Sequence, residues 1–147
     1  MASTVTRVSD AESVVRRYYE VVSDLTSTEA DLRPLLADDV TVVEHPNALT
    51  VQGAERDLQQ TLAGFAAGKR LLREQRFDVA DVLVDGDRAA VRATWSGTVG
   101  VDAGPFRAGQ ALRAEVAALL TVADGRIVRH ETFDCYEPFD TAPAGTA

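Results

Sequence analysis

The chain has 147 residues, enough for one domain with a sizeable core and too few for a dinucleotide-binding domain plus a substrate domain. Hydrophobic residues make up 46% and charged residues 26%, the balance of a folding chain rather than a disordered one. The net charge of −8 speaks against nucleic acid or an anionic membrane as partner, because both select a positive surface.

The first helix is marked by Ser9 and Glu12 at capping-box spacing. Ala11, Val14, Val15, Tyr18, Val22 and Leu25 then recur with the helical period and form one apolar stripe, with Arg16, Arg17, Glu20 and Asp24 on the other side. A short second helix is expected over Asp31 to Ala37, since Pro34 is tolerated only in a first turn. The β-branched run Val40 to His45 reads as a strand, which Pro46-Asn47 breaks. After a loop to Gly53, a third helix is expected over Ala54 to Ala67, with Gly68 as its C-cap. Strand patterns follow over Arg73 to Val84, Arg88 to Val101, Gln110 to Ala123 and Arg126 to Tyr136. Asp85-Gly86 and Asp124-Gly125 lie between them as tight-hairpin signals. Three helices in the N-terminal half and a curved antiparallel sheet make an α+β fold that encloses a pocket, with Gly97, Gly100, Gly104 and Gly109 allowing the sheet to bend. The chain reads as a single domain over 1–147, with its core at about 10–139 and a small, polar tail at 140–147 expected to fray.

The chemistry-bearing motifs are few. Walker, G-x-G-x-x-G, G-x-S-x-G, H-E-x-x-H and C-x-x-C patterns are all absent, so the expectation is acid–base work or binding by scattered side chains, with no cofactor and no metal. No apolar run approaches roughly 18 residues, so no membrane partner is expected. The N-terminal segment has no signal-peptide layout, and the lone Cys135 cannot form an internal disulfide; both point to the cytoplasm. Imidazoles titrate near neutrality, which makes His45 and His130 the first candidates for proton transfer. Strand alternation puts His130, Thr132, Asp134 and Tyr136 on one face, where Asp134 can orient or charge-balance the imidazole. Glu44 and His45 are neighbours on one strand and must point opposite ways, so one of them enters the pocket; a desolvated Glu44 would be a strengthened base. Tyr18 on the helix stripe can donate to a developing oxyanion, and Phe65 and Trp95 are candidate substrate contacts together with Thr132 and Tyr136. Arg113 and Glu115 fall on the outward face of their strand, and apolar outward positions near Trp95 suggest a subunit contact.

Several of these segments in order carry a resemblance: Arg17-Tyr18-Tyr19-Glu20, then Leu36-Ala37-Asp38-Asp39-Val40-Thr41-Val42-Val43-Glu44-His45-Pro46, then Gly53 opening a helix, then Asp124-Gly125-Arg126-Ile127 before an aromatic strand. Over roughly residues 10 to 139 the chain resembles the NTF2-like superfamily, and within it the SnoaL-like group. The resemblance implies a cone-shaped α+β barrel, a homodimer, and a pocket for a small molecule. It also implies cofactor-independent cyclisation, isomerisation or dehydration of an oxygenated, polyketide-like substrate, or else plain binding in the same pocket. Counting back from Pro46 the base of the superfamily's isomerases falls on His45, and counting forward from Ala37-Asp38-Asp39 it falls on Glu44. The isomerase oxyanion tyrosine matches Tyr18, but its carboxylic-acid partner falls on Ala118, a departure from the isomerase pattern. In the cyclases an acid–base residue sits on a late strand, where this chain has His130 and Asp134.

Overall fold

The computed structural model of the protein describes residues 10–139. Ser9 of the expected capping box and the expected tail at 140–147 lie outside them. Helix α1 spans Asp10–Ser23, and the Ser27 hydroxyl caps the turn after it by donating to the carbonyls of Val21 and Asp24. Helix α2 is a single turn, Glu29–Leu32, started by a capping box between Thr28 and Asp31. A 3-10 turn, Arg33–Leu35, continues it. The expected helix over Asp31 to Ala37 is therefore shorter and earlier: Pro34 sits in the 3-10 turn, and Leu36 and Ala37 already belong to strand β1, Leu36–Glu44. A short strand β2, Ala54–Arg56, precedes helix α3, Leu58–Leu71.

This corrects the expected third helix at both ends. Asp57 is its N-cap, accepting from the Gln60 backbone N–H while the Gln60 side chain accepts from Asp57 N–H. Gly68 lies inside the helix, and Leu72 ends it and opens strand β3, Leu72–Asp85. Strands β4, Arg88–Val99, β5, Ala111–Ala123, and β6, Arg126–Tyr136, complete the set, with Gly86 and Gly125 in the two hairpin turns at positive φ.

The six strands form one curved, unclosed sheet in the order β2-β1-β6-β5-β4-β3. All neighbours are antiparallel except β1 and β6, which run parallel, so the sheet is mixed. The parallel register sets Glu44 beside Thr132, which brings the C-terminal end of β1 to the chemically interesting half of β6. Helix α1 packs across β3 to β6, and α3 packs against β1, β2 and β3.

Alternation then builds the interior. Val91, Ala93 and Trp95 on β4, and Leu112, Ala114, Val116, Ala118 and Leu120 on β5, are all buried beneath the helices. The buried apolar residues fall into two clusters, one around α1, β1 and Ile127, the other around Leu72, Trp95, Val99 and Val116, with Phe77 packing against both. Outward positions next to Trp95 are polar, Thr94 and Ser96, contrary to the expectation of apolar residues there. The outer apolar side chains lie elsewhere, at Leu83, Leu119 and Phe133.

Candidate functional site

A cavity of about 320 Å³ opens where the two clusters meet. It is lined by Tyr18 and Tyr19 from α1, Val42 and Glu44 from β1, and Arg56 from β2. Helix α3 gives it Thr61 and Gly64, β3 gives Phe77, and β4 and β5 give Trp95, Ala114 and Val116. From β6 come His130, Thr132, Asp134 and Tyr136, the whole alternating face expected from the sequence.

The two neighbouring candidates at the end of β1 separate as the pleat requires. Glu44 lines the cavity, whereas His45 lies on the other face, its Nε2 2.6 Å from Glu131 Oε1 and its ring stacked on Phe133 at 4.2 Å. Glu44 is held by three donors. Arg56 Nη1 donates to its Oε1 at 2.9 Å, Asn47 Nδ2 to its Oε2 at 2.8 Å, and the Thr50 side chain donates as well. Burial alone would push this carboxyl up, but these hydrogen bonds and the Arg56 charge outweigh it and hold it below the usual carboxylate range. The expectation of a strengthened Glu44 base is therefore reversed, because the residues that bury it also donate to it.

Asp134 behaves in the opposite way. Burial raises its carboxyl and the Glu44 charge raises it further, while a hydrogen bond from Thr132 Oγ1 at 2.7 Å opposes them only in part. His130 is 6% exposed, and burial lowers its imidazole to about 4, so it is neutral at physiological pH. Neither ring nitrogen has a hydrogen-bond partner, and the ring meets Tyr18 edge-on at 5.2 Å. The buried Tyr19 hydroxyl and the Thr61 Oγ1 also lack partners. Burial and the charge of Asp134 push the phenols of Tyr18, Tyr19 and Tyr136 up, so all three stay protonated donors.

The rest of the wall is fixed in place. Trp95 Nε1 donates to Gln75 Oε1 at 2.9 Å, and Gln75 Nε2 donates to the Val22 carbonyl at the end of α1. A Cβ at Gly97 would come within 2.7 Å of the Trp95 ring, so this glycine makes room for the indole rather than simply bending the strand. Phe65 lines a second lobe beneath α3, which shares Tyr18, Glu44, Thr61, Gly64 and Phe77 with the main chamber. The sequence reading missed Tyr19, Arg56, Thr61 and Gln75. For Tyr19 the helical period was a usable signal, since it follows Ala11 and Val15 on the buried side; Arg56 was hidden in a segment read as helix. Among the described residues no three His, Cys, Asp or Glu side chains come together as a metal site.

The family model of the SnoaL-like domain matches residues 15–130. No curated protein matches the chain. Among solved structures, IdmH, a proposed polyketide cyclase from Streptomyces antibioticus, is similar at 24% identity, with 84% of this chain and 91% of that one covered and a TM-score of 0.69. A proposed SnoaL-like polyketide cyclase from Jannaschia sp. is similar at 21% identity, with 91% of each chain covered and a TM-score of 0.70. A protein of ketosteroid isomerase-like fold from Catenulispora acidiphila, solved in complex with trimethylamine, is similar at 17% identity, with 82% of this chain and 83% of that one covered and a TM-score of 0.64. At these identities the structures are alike in fold alone.

Proposed function

The chain belongs to the SnoaL-like domain family, and from that premise we propose that it is a cofactor-independent acid–base enzyme acting on an oxygenated, largely apolar small molecule of polyketide-like character. One observation carries the reading: Asp134, a carboxylate whose pKa is raised, shares a cavity with two buried polar groups that have no partner in the protein, the Tyr19 hydroxyl and the His130 imidazole. A buried donor without a partner costs free energy on the order of 1–3 kcal/mol, a cost that a bound carbonyl oxygen would relieve. In this reading Asp134 takes a proton from the carbon next to a carbonyl, and the C–H electron pair becomes an enolate. Tyr19, with Tyr18 or His130, donates a hydrogen bond to the enolate oxygen. The enolate carbon then attacks a second carbonyl of the same molecule, and the proton held by Asp134 passes to the new alkoxide. Glu44 keeps its charge and, with Arg56, shapes the electrostatics around Asp134 rather than acting as the base. Trp95, Phe65, Thr132 and Tyr136 are assigned to substrate contact.

Hydrogen–deuterium exchange at the α-carbon of a simple aryl ketone such as α-tetralone, followed by NMR, tests the reading without knowledge of the natural substrate. The protein is expected to accelerate exchange, Asp134→Asn to lose about 10²-fold or more of that acceleration, and His45→Ala to keep it. Exchange equally fast with Asp134→Asn, or no acceleration at all, overturns the enzyme reading; a ketone bound but never exchanged would favour a binding module. We further propose a homodimer formed through the outer sheet face, and the cytosol as compartment, since Cys135 is the only cysteine; among the described residues no helix is long and apolar enough to cross a membrane.

A further inference from the structure

The second lobe beneath α3 is lined on its far side by Val22, Leu32 and Phe65. Its polar residues Tyr18, Glu44 and Thr61 stand where it meets the main chamber, and Glu44 and Gln75 already have partners within the chain, so the far side offers apolar contact. The two lobes join at Tyr18, Glu44, Thr61, Gly64 and Phe77. Two glycines, Gly64 and Gly68, line the helix side of the second lobe, one turn apart. Glycine inside a helix costs roughly 0.5–1 kcal/mol relative to alanine. Neither position has a positive φ, and a Cβ at either would meet no protein atom within 4 Å. Backbone conformation and packing within the chain therefore leave both glycines unexplained. The unpartnered Tyr19 hydroxyl and His130 imidazole in the adjoining chamber supply the independent sign that the cavity receives a ligand.

We infer that the ligand is a two-part molecule, with its oxygenated head among Asp134, Tyr19 and His130 and an apolar tail that runs beneath α3 into the second lobe, and that Gly64 sets the width of the passage. The inference rests on the reading that the chamber binds an oxygenated small molecule. It adds the substrate's shape and a specificity-determining residue.

The test is binding of 1-(2-hydroxyphenyl)alkanones with acyl chains of increasing length, read by quenching of Trp95, the only tryptophan, which lines the main chamber. Wild-type affinity is expected to rise about three- to fourfold per added methylene until the lobe is full. Gly64→Leu is expected to abolish that rise while binding the shortest member within about twofold of wild type. Gly68→Leu, deeper in the lobe, truncates the rise only for longer chains, and Gly64→Ala melts no lower than wild type, which separates a blocked passage from a damaged fold. Affinity that does not grow with length, or grows equally in Gly64→Leu, overturns the two-part ligand alone. Failure of every member to bind wild type overturns the underlying reading of the chamber as well.

Discussion

On one strand face, four residues apart, β6 carries two titrating groups that burial pushes in opposite directions along the pH scale. Burial disfavours the charged form of each, so His130 falls to about 4 and Asp134 rises. The consequences for stability have opposite signs. The unfolded chain protonates its histidine near 6.5 while the folded chain resists, so His130 costs stability as the pH falls from 6.5 towards 4. Asp134 picks up its proton in the folded chain before the unfolded one does. It therefore returns stability as the pH falls through its raised value towards the ordinary 3.8. Thermal melts across pH 4 to 7 are expected to show His130→Leu flattened relative to wild type on the acid side. Asp134→Asn should melt higher than wild type at neutral pH and lose that advantage on acidification. Parallel pH profiles for the three proteins would mean that neither group is desolvated as described. The raised Tm of Asp134→Asn, set beside its loss of proton exchange, would also identify Asp134 as a residue retained against the interest of the fold.

Among the elements, the short pieces decide where the site residues go, and these were the least legible. The hairpins are plain because Asp-Gly favours a tight reversal between two alternating runs, and alternation alone groups the inward residues of β6 on one face. Strand β2 is three residues long, too short for any period to show, and its sequence Ala-Glu-Arg favours helix as much as strand. Its existence depends on pairing with β1, a tertiary event, yet that pairing brings Arg56 to Glu44. The signal that was available is the Asp57–Gln60 capping box, which starts α3 at Leu58 and excludes Ala54 to Arg56 from it. The choice between Glu44 and His45 was also out of reach, since an early strand of unknown register has no fixed inner face.

The loop from Pro46 to Gly53 holds this arrangement from the other side. Asn47 accepts from the backbone N–H groups of Leu49 and Thr50 and donates to Glu44 and to the His45 carbonyl. Gly53 closes the loop at φ +70, where a Cβ would lie 2.8 Å from the Glu44 carbonyl oxygen. Gly53→Ala is expected to cost about 1–3 kcal/mol in urea unfolding, from strain and clash together. Gly86→Ala, also at positive φ but with open space around it, should cost about 1 kcal/mol from strain alone. Equal costs would show that the approach of Gly53 to β1 is looser than the structure has it.

At the scale of the whole molecule, the sheet covers only one of its faces with helices, and the other must meet either solvent or a partner. Register places Leu83, Ala90 and Leu119 in one row across β3, β4 and β5, with Ala117 paired to Phe133 in the neighbouring row. Leu83 is 69% exposed, Leu119 41% and Phe133 39%, a run of apolar surface that a helix-free sheet face has no internal means of covering. Two arginines of this face are paired within the chain, Arg92 with Asp81 at 2.9 Å and, further along β5, Arg113 with Glu115 and Glu137. Such a surface carries less unpaired charge to desolvate on association. A stable interface takes about 800 Å² from each partner, more than three side chains supply, so the contact must extend over these ion-paired rows as well. Light scattering is therefore expected to give about twice the 15.8 kDa chain mass at micromolar concentration. Leu119→Glu, at the end of the row nearest Phe133, should shift it to the monomer with the circular dichroism spectrum unchanged. A wild-type monomer, or a dimer indifferent to charge at Leu119, would place any association elsewhere and leave the outer face to solvent.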